Sequence, residues 1–166
     1  MTVYTPILEN GAGHSIYQMW LTAGSPLQSA EAGWTVDPGL NGDLMPHLFT
    51  YYTTNGYSQD GDNLGGYNPS VKGWVQSSAT VFPGTRLVSS SLDHYVNRYD
   101  MLFMLWQGNW WFKLENEWVG YYRNRSQPGE QRRDVLASEM SGDGLGDEVQ
   151  GATVLLAAGF NGGKHR

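Results

Sequence analysis

Acidic side chains within predicted β-strands are the residues of this sequence best suited to do chemistry, because strand interiors disfavour Asp and Glu. Glu31 stands among small residues, and Glu115 and Glu117 stand in an aromatic run over 110–122. Two carboxylates held close together can hydrolyse a bond, since repulsion keeps one protonated as an acid while the other stays ionised as a base. The hypothesis is a two-carboxylate site that joins Glu31 to one of the downstream glutamates.

Strand periodicity does not choose between Glu115 and Glu117. If 110–122 forms one strand, its side chains alternate between two faces, so both glutamates, Val119 and Tyr121 share one face. The simpler interpretation is that this face is exposed to solvent and that the glutamates only aid solubility. Strand composition alone favours that interpretation over a catalytic pair.

Other patterns for catalysis are weak, and we predict neither a metal nor an organic cofactor. The sequence has no cysteine, which excludes disulfides, thiolate metal sites and a cysteine nucleophile. The Asp-Gly-Asp-Asn run at 60–63 lacks the glycine and distal glutamate of an EF-hand, so a solvated turn is favoured there. The Gly-rich segment 142–146 predicts a loop rather than a phosphate site, because no strand precedes it.

Size and charge narrow the class of protein. The 166 residues suffice for one domain, which we expect to span 1–166, and the net charge of −6 disfavours binding to a nucleic-acid backbone. No apolar run approaches the ~18 residues of a membrane span. The first residues also lack the basic and apolar regions of a signal peptide. We therefore expect a single domain that binds neither nucleic acid nor membrane.

The elements that must position the glutamates read as short strands separated by turns. Gly is abundant, with 22 residues, and 13% of residues are aromatic, a composition more typical of strands and turns than of a helical bundle. The one helix-like stretch is 131–140. Regularly spaced strands predict an antiparallel β-sandwich or barrel. The predicted strands are 15–22, 30–36, 48–54, 73–82, 86–92, 95–106, 110–122 and 152–160.

Two motifs around Glu31 are specific enough to suggest a family. Residues 31–38 read Glu-Ala-Gly-Trp-Thr-Val-Asp-Pro, and 48–53 read Leu-Phe-Thr-Tyr-Tyr-Thr with Gly56 and Tyr57 after them. Together they resemble the E-A-G-W-x-V-x-P and L-F-T-Y-W-T-x-D-G-Y patterns of the neprosin family of plant and bacterial proteins.

Further motifs extend this resemblance in one register, from about residue 15 to about residue 149. Gln-Met-Trp-Leu at 18–21 is similar to the family's Q-I-W-V strand. Residues 108–111 and 117–122 are similar to its G-N-W-W and E-x-V-G-Y-W motifs, and 146–149 are similar to G-G-E-V.

The resemblance implies a fold, an activity and a catalytic pair. Neprosin-family proteins are secreted glutamic peptidases that cleave after proline, built as a sandwich of two antiparallel sheets with a concave active-site face. The matching positions imply that Glu31 and Glu117 are catalytic, whereas Glu115 has no catalytic counterpart. The implied partner is a proline-containing peptide or protein, and no cofactor is implied.

The sequence departs from the family pattern in one loop and at its ends. Gly66 and Val71 stand where the plant pattern has two cysteines, so the loop lacks that disulfide. Family enzymes also carry more chain before the Gln-x-Trp strand and after the region of Gly162 and Gly163. We therefore expect a sandwich shortened at both ends.

The implied mechanism needs one ionised and one protonated glutamate. The base takes a proton from water, which attacks the peptide carbonyl, and the acid assists the oxyanion and the leaving nitrogen. We favour Glu31 as the base, because its small neighbours leave space for water. Proline has a fixed apolar ring, so we predict a pocket for it. The predicted pocket residues are Gln18, Trp34, Tyr52 and Tyr121.

Other functions remain open at this point. A β-sandwich rich in Trp and Tyr is also suited to bind carbohydrate, and a glycosidase likewise uses two carboxylates. A family member that binds without catalysis is a third alternative. Cleavage of a proline-containing peptide separates the peptidase from both.

Overall fold

The computed structural model describes residues 1–8, 13–59, 65–67, 72–90, 96–107 and 109–123, together with the backbone of 153–161. Its secondary structure is almost entirely β. The bounds are β1 His14–Ala23, β2 Gln28–Val36, α1 Pro38–Asn41, β3 His47–Thr53, β4 Gly65–Tyr67, β5 Trp74–Gln76, β6 Met101–Trp106, β7 Asn109–Leu114, β8 Glu117–Tyr122 and β9 Thr153–Asn161.

The strands form two antiparallel sheets. The first has the order β4-β3-β2-β1-β9, and the second has the order β5-β8-β7-β6. Neither is closed into a barrel, so the predicted β-sandwich is confirmed and the barrel alternative is excluded. The predicted strand at 152–160 corresponds to β9, which pairs with β1.

Strand β2 is central in its sheet, and alternation gives it two different faces. Ala30, Ala32 and Trp34 belong to the core between the sheets. The intervening side chains, which include Ser29 and Glu31, lie on the opposite face of the sheet, yet every residue of β2 is buried. Both faces of β2 are therefore shielded, and an acidic group on it is removed from bulk water.

Large apolar side chains from both sheets fill the core. Leu48 of the first sheet and Phe112 and Val119 of the second are fully buried. Each such side chain contributes about 1.5–3 kcal/mol to folding when removed from water. Val3, near the start of the chain, is also fully buried and belongs to the same core.

The segment 110–122 is not the single strand that its composition predicts. It forms a hairpin of β7 and β8, in which Leu114 pairs with Glu117 across a turn. Glu115 in that turn has φ 53°, in the left-handed region that a continuous strand does not use. The register also shifts between Phe112 and Lys113. The predicted placement of Glu115 on one strand face with Glu117 and Val119 is therefore wrong, because Glu115 lies in the turn between β7 and β8.

Three other predicted elements differ from the observed ones. Only Trp74–Gln76 of the predicted strand 73–82 is a strand, and 86–92 contributes an isolated bridge between His47 and Arg86. Beyond β5, the side-chain amide nitrogen of Gln76 lies within hydrogen-bond distance of the carbonyls of Ser78, Val81 and Val119, and these contacts replace a strand ladder. The predicted strand 95–106 is shorter, Met101–Trp106. The predicted helix 131–140 lies outside the described residues.

Candidate active site

Glu31 is a buried carboxylic acid held by two hydroxyl groups. Its exposed fraction is 4%. Ser29 Oγ and Tyr57 OH each donate a hydrogen bond to Glu31 Oε1, both at 2.5 Å. The two hydroxyl oxygens lie 3.2 Å apart. One carboxyl oxygen of Glu31 therefore receives both hydroxyl donors.

The neighbouring strands place further polar and aromatic groups beside Glu31. Trp20 of β1 and Tyr51 of β3 pair directly with Glu31, so all three share a face. Gln18 is two residues from Trp20 on that face, and its side chain hydrogen-bonds Glu31. The predicted site residue Gln18 is thus brought to Glu31.

Gly33 allows β1 to approach β2 closely at this point. A Cβ added at Gly33 would lie 2.1 Å from the Tyr17 carbonyl oxygen and 2.7 Å from Gln18 Cα. Only glycine fits such a contact with a neighbouring backbone. The glycine two residues after Glu31 therefore permits the strand spacing that holds Gln18 beside the carboxyl group.

Tyr57 reaches Glu31 from a structured turn after β3. Its backbone has φ 61°, which is uncommon for a residue with a side chain. Thr53 Oγ1 accepts a hydrogen bond from the Tyr57 amide, at 3.1 Å, and the Gly56 amide donates to the Leu27 carbonyl at 2.8 Å. These contacts fix the turn, so Tyr57 does not need the substrate to reach Glu31.

A cluster of aromatic rings adjoins the contact between Tyr57 and Glu31. Tyr57 stacks on Tyr51, with ring centroids 5.9 Å apart, and Tyr67 of β4 meets Tyr51 edge-on at 4.7 Å. Tyr51 is buried, whereas 48% of Tyr57 is exposed. Glu31 is therefore bordered by apolar ring surface that is open to solvent on the Tyr57 side.

The environment of Glu31 favours its protonated form. Burial raises the pKa of Glu31 above its ordinary value, and the hydrogen bonds from Ser29, Tyr57 and Gln18 lower it by less. Burial also raises the pKa of the Tyr57 hydroxyl, and the nearby Glu31 carboxylate adds to that effect. Tyr57 thus stays a hydrogen-bond donor. A raised pKa suits an acid, which is the opposite of the base role expected for Glu31 from its small neighbours.

Glu117 lies elsewhere in the molecule. It is the first residue of β8, in the second sheet, and its side chain is exposed. The end of β8 that approaches Glu31 is Tyr122, whose hydroxyl oxygen lies 3.3 Å from the Glu31 carbonyl oxygen. Tyr122 is five residue steps along the strand from Glu117, which corresponds to about 17 Å. The described structure therefore does not bring Glu117 to the Glu31 carboxyl group.

The other predicted pocket residues also face away from Glu31. Trp34 and Tyr52 point into the core, where Trp34 stacks on Tyr17 and the Tyr52 hydroxyl donates to the Lys72 carbonyl. Tyr121 packs against Trp111 in the second sheet, with ring centroids 4.4 Å apart. The described structure thus places these three side chains away from the Glu31 carboxyl group, and their role as a proline pocket stays a prediction.

Sequence reasoning missed Ser29 and Tyr57. Ser29 is two residues before Glu31 and shares its face, so the alternation of β2 was a usable signal. The contact of Tyr57 depends on the turn after β3 and on the pairing of β2 with β3. Its only sequence signal was membership of the motif that contains Gly56.

The described part of the chain contains neither a cluster of metal-ligating side chains nor a membrane-spanning helix. There, no group of three or more His, Asp or Glu side chains is arranged to hold a metal ion. The segment 60–63 lies outside the described residues. Among the helices described, none is long and apolar enough to cross a membrane.

Fold and site together define an all-β, two-sheet sandwich with a buried glutamate on the outer face of one sheet. The sequence model of the Neprosin family matches residues 11–144. The chain therefore belongs to the neprosin family, as its motifs indicate, and this family is peptidase-related.

Proposed function

We propose that this protein is a glutamic endopeptidase that hydrolyses peptide bonds C-terminal to proline. Membership of a peptidase-related family supports the class of reaction. The observation that carries the proposal is the Glu31 cluster, a buried carboxylic acid with three side-chain hydrogen bonds beside partly exposed aromatic rings. Buried carboxyl groups with a raised pKa are the usual acids of hydrolytic sites.

Glu31 acts as the acid in the proposed reaction. An ionised carboxylate takes one proton from water, and the resulting hydroxide attacks the carbonyl carbon of the proline residue. Protonated Glu31 donates a hydrogen bond to the developing oxyanion. The C–N bond then breaks as the leaving nitrogen receives a proton from the acid, and the products are a free carboxyl group and a free amine.

The family resemblance implies Glu117 as the base, although the described structure does not bring Glu117 to the Glu31 carboxyl group, so the base has to be identified by mutagenesis. Glu115, two residues away, offers a matched control, since both glutamates lie near the same hairpin turn. Loss of activity in Glu117→Gln but not in Glu115→Gln supports this assignment. Full activity in both variants transfers the role of base to another carboxylate.

The ring surface of Tyr51, Tyr57 and Tyr67 is the proposed contact for the substrate proline. A proline ring is apolar and lacks an amide hydrogen, so it gains more from stacking than from a polar pocket. Tyr57 is the most exposed of the three and touches Glu31 through its hydroxyl. This proposed contact is an alternative to the pocket expected from Trp34 and Tyr52.

Product analysis tests the proposed function. The protein is incubated across a range of pH with a peptide that contains one internal proline, and the products are identified by mass spectrometry. Cleavage after proline in the wild type and its absence in Glu31→Gln are expected. An intact peptide at every pH, or equal cleavage by Glu31→Gln, would overturn the proposal.

Carbohydrate binding is a second candidate, and the outer face of the second sheet favours it. Trp106 is 51% exposed and meets Trp111 edge-on, and Trp111 also contacts Trp118 and Tyr121. Aromatic rings on a sheet face are suited to stack on sugars. Co-sedimentation with insoluble polysaccharides, compared between the wild type and Trp106→Ala, tests this candidate.

A further inference from the structure

Two hydroxyl donors on one oxygen leave the two oxygens of Glu31 unequal. Oε1 accepts from both Ser29 and Tyr57 at 2.5 Å. A carboxyl oxygen has two acceptor sites, and these two bonds occupy both on Oε1. The proton of neutral Glu31 therefore belongs on Oε2.

The turn that carries Tyr57 holds the Tyr57 hydroxyl group in contact with Glu31. A non-glycine residue with φ 61° is held against its own preference, and such residues concentrate at functional sites. Within the turn, Thr53 Oγ1 accepts from the amides of Asn55 and Tyr57. Ser58 Oγ donates to the Asn55 carbonyl at 2.9 Å. The backbone thus secures Tyr57 in a conformation that the residue alone would not choose.

Tyr57 also spans the distance from the buried Glu31 to the protein surface. Its hydroxyl contacts the carboxyl group of Glu31, a residue that is 4% exposed, whereas Tyr57 itself is 48% exposed. Stacking on Tyr51 fixes the direction in which the ring points. Tyr57 therefore joins Oε1 to the solvent-exposed surface, and it does so from an element other than β2.

We propose that Tyr57 is a positioning residue for Glu31: together with Ser29 it occupies Oε1, so that Oε2 is the oxygen that exchanges a proton with the substrate. The exchange with substrate rests on the proposed peptidase function. The orientation of the carboxyl group does not, because the contacts exist without substrate.

Tyr57→Phe is the decisive variant, since it keeps the ring that stacks on Tyr51 and removes only the hydroxyl. Tyr4→Phe is the matched control. Tyr4 is 46% exposed, close to the value of Tyr57, and belongs to the segment beside Val3 rather than to the Glu31 cluster. Far-UV circular dichroism and the melting temperature establish that both variants are folded.

Titration of Glu31 is the readout that does not depend on activity. Carboxyl signals are followed against pH by nuclear magnetic resonance with 13C-labelled glutamate, and Glu31→Gln identifies the signal of Glu31. The Tyr57 bond favours the charged form, so its removal should move the titration midpoint upward in Tyr57→Phe and leave it unchanged in Tyr4→Phe. An unchanged midpoint in Tyr57→Phe would overturn the proposal.

Measurements of kcat and KM then distinguish a positioning role of Tyr57 from a role in packing alone. In Tyr57→Phe we expect kcat to fall by about tenfold to a hundredfold, with the pH profile moved in the direction of the Glu31 midpoint. A change in KM alone would overturn the positioning role. If the wild type cleaves no peptide but the midpoint still moves, the orientation of Glu31 by Tyr57 is supported and the proposed peptidase function is rejected.

Discussion

Tyr122 of the second sheet donates a hydrogen bond across the sandwich to the Tyr51 carbonyl, at 2.9 Å, and its hydroxyl also lies 3.3 Å from the Glu31 carbonyl. The side chain is buried, and its ring packs edge-on against Trp74. The two strands that carry Glu31 and Tyr51 are thus tied to the opposite sheet at the level of the candidate site.

Tyr122→Phe should lower the free energy of unfolding by about 0.5–1.5 kcal/mol, the usual net contribution of one hydrogen bond. The ring is retained, so packing against Trp74 should persist. Urea denaturation measures the change, with Tyr4→Phe as an exposed control. A variant as stable as the wild type would show that the cross-sheet bond adds nothing.

Glu31→Gln should abolish peptide hydrolysis, because an amide cannot donate a proton as an acid. The variant keeps the shape of the side chain, so the fold should be preserved in far-UV circular dichroism. Glu115→Gln should retain most of the wild-type rate, since its carboxylate accepts a bond from the Asp100 amide in the hairpin region. Inactivity of Glu115→Gln with a fully active Glu31→Gln would reverse the assignment.

The stability of the protein should depend on pH through Glu31. Burial raises its pKa above the ordinary value of 4.5. The stability that the protonated group provides is fully present below about pH 4.5 and is lost as pH rises through the raised pKa. Glu31→Gln does not titrate, so its melting temperature relative to that of the wild type should increase as the pH rises. A constant difference between the two proteins would contradict this prediction.

The stabilising contribution of Asp43 should depend on pH in the opposite sense to that of Glu31. Hydrogen bonds from the Met45 amide and the His47 side chain lower the pKa of Asp43 below its ordinary value of 3.8. Its stabilising contribution is present above that value and is lost as pH falls through the lowered pKa. Asp43→Asn should therefore melt below the wild type near neutral pH, and the two should converge in strong acid. Melting curves across pH measure this difference.

Gly33→Ala should destabilise the first sheet by about 3 kcal/mol or more, at the upper end of overpacking costs. The added methyl group would clash with backbone atoms of Tyr17 and Gln18. Backbone atoms cannot relieve a clash by changing rotamer, as a side chain can. Gly13→Ala is the control, because nothing lies within 4 Å of a Cβ at that position. Urea denaturation of both variants gives the comparison. Equal stability would indicate that β1 and β2 separate at little cost.

Local sequence patterns determined the class of fold and identified Glu31 as a residue of the candidate site. The strands around Glu31 show alternation and turn signals, which act between neighbours in the chain and can be read without a structure. The same alternation places Ser29 and Glu31 on one face of β2 and Trp34 on the opposite face. The family motifs identified the neprosin family, and the match over 11–144 confirmed it.

Only the tertiary structure decided which other side chains meet Glu31. The register of β2 against β3 puts Tyr51 rather than Tyr52 beside it, and a one-residue shift in register would exchange them. The left-handed residues Glu115 and Tyr57 belong to turns whose geometry depends on contacts distant in sequence, such as the bond between the Glu115 amide and the Asp100 carbonyl. Alternation along a strand determines which residues share a face. What that face contacts depends on the pairing between strands. The register of that pairing is set by packing across the whole sheet, so it cannot be read from one strand alone.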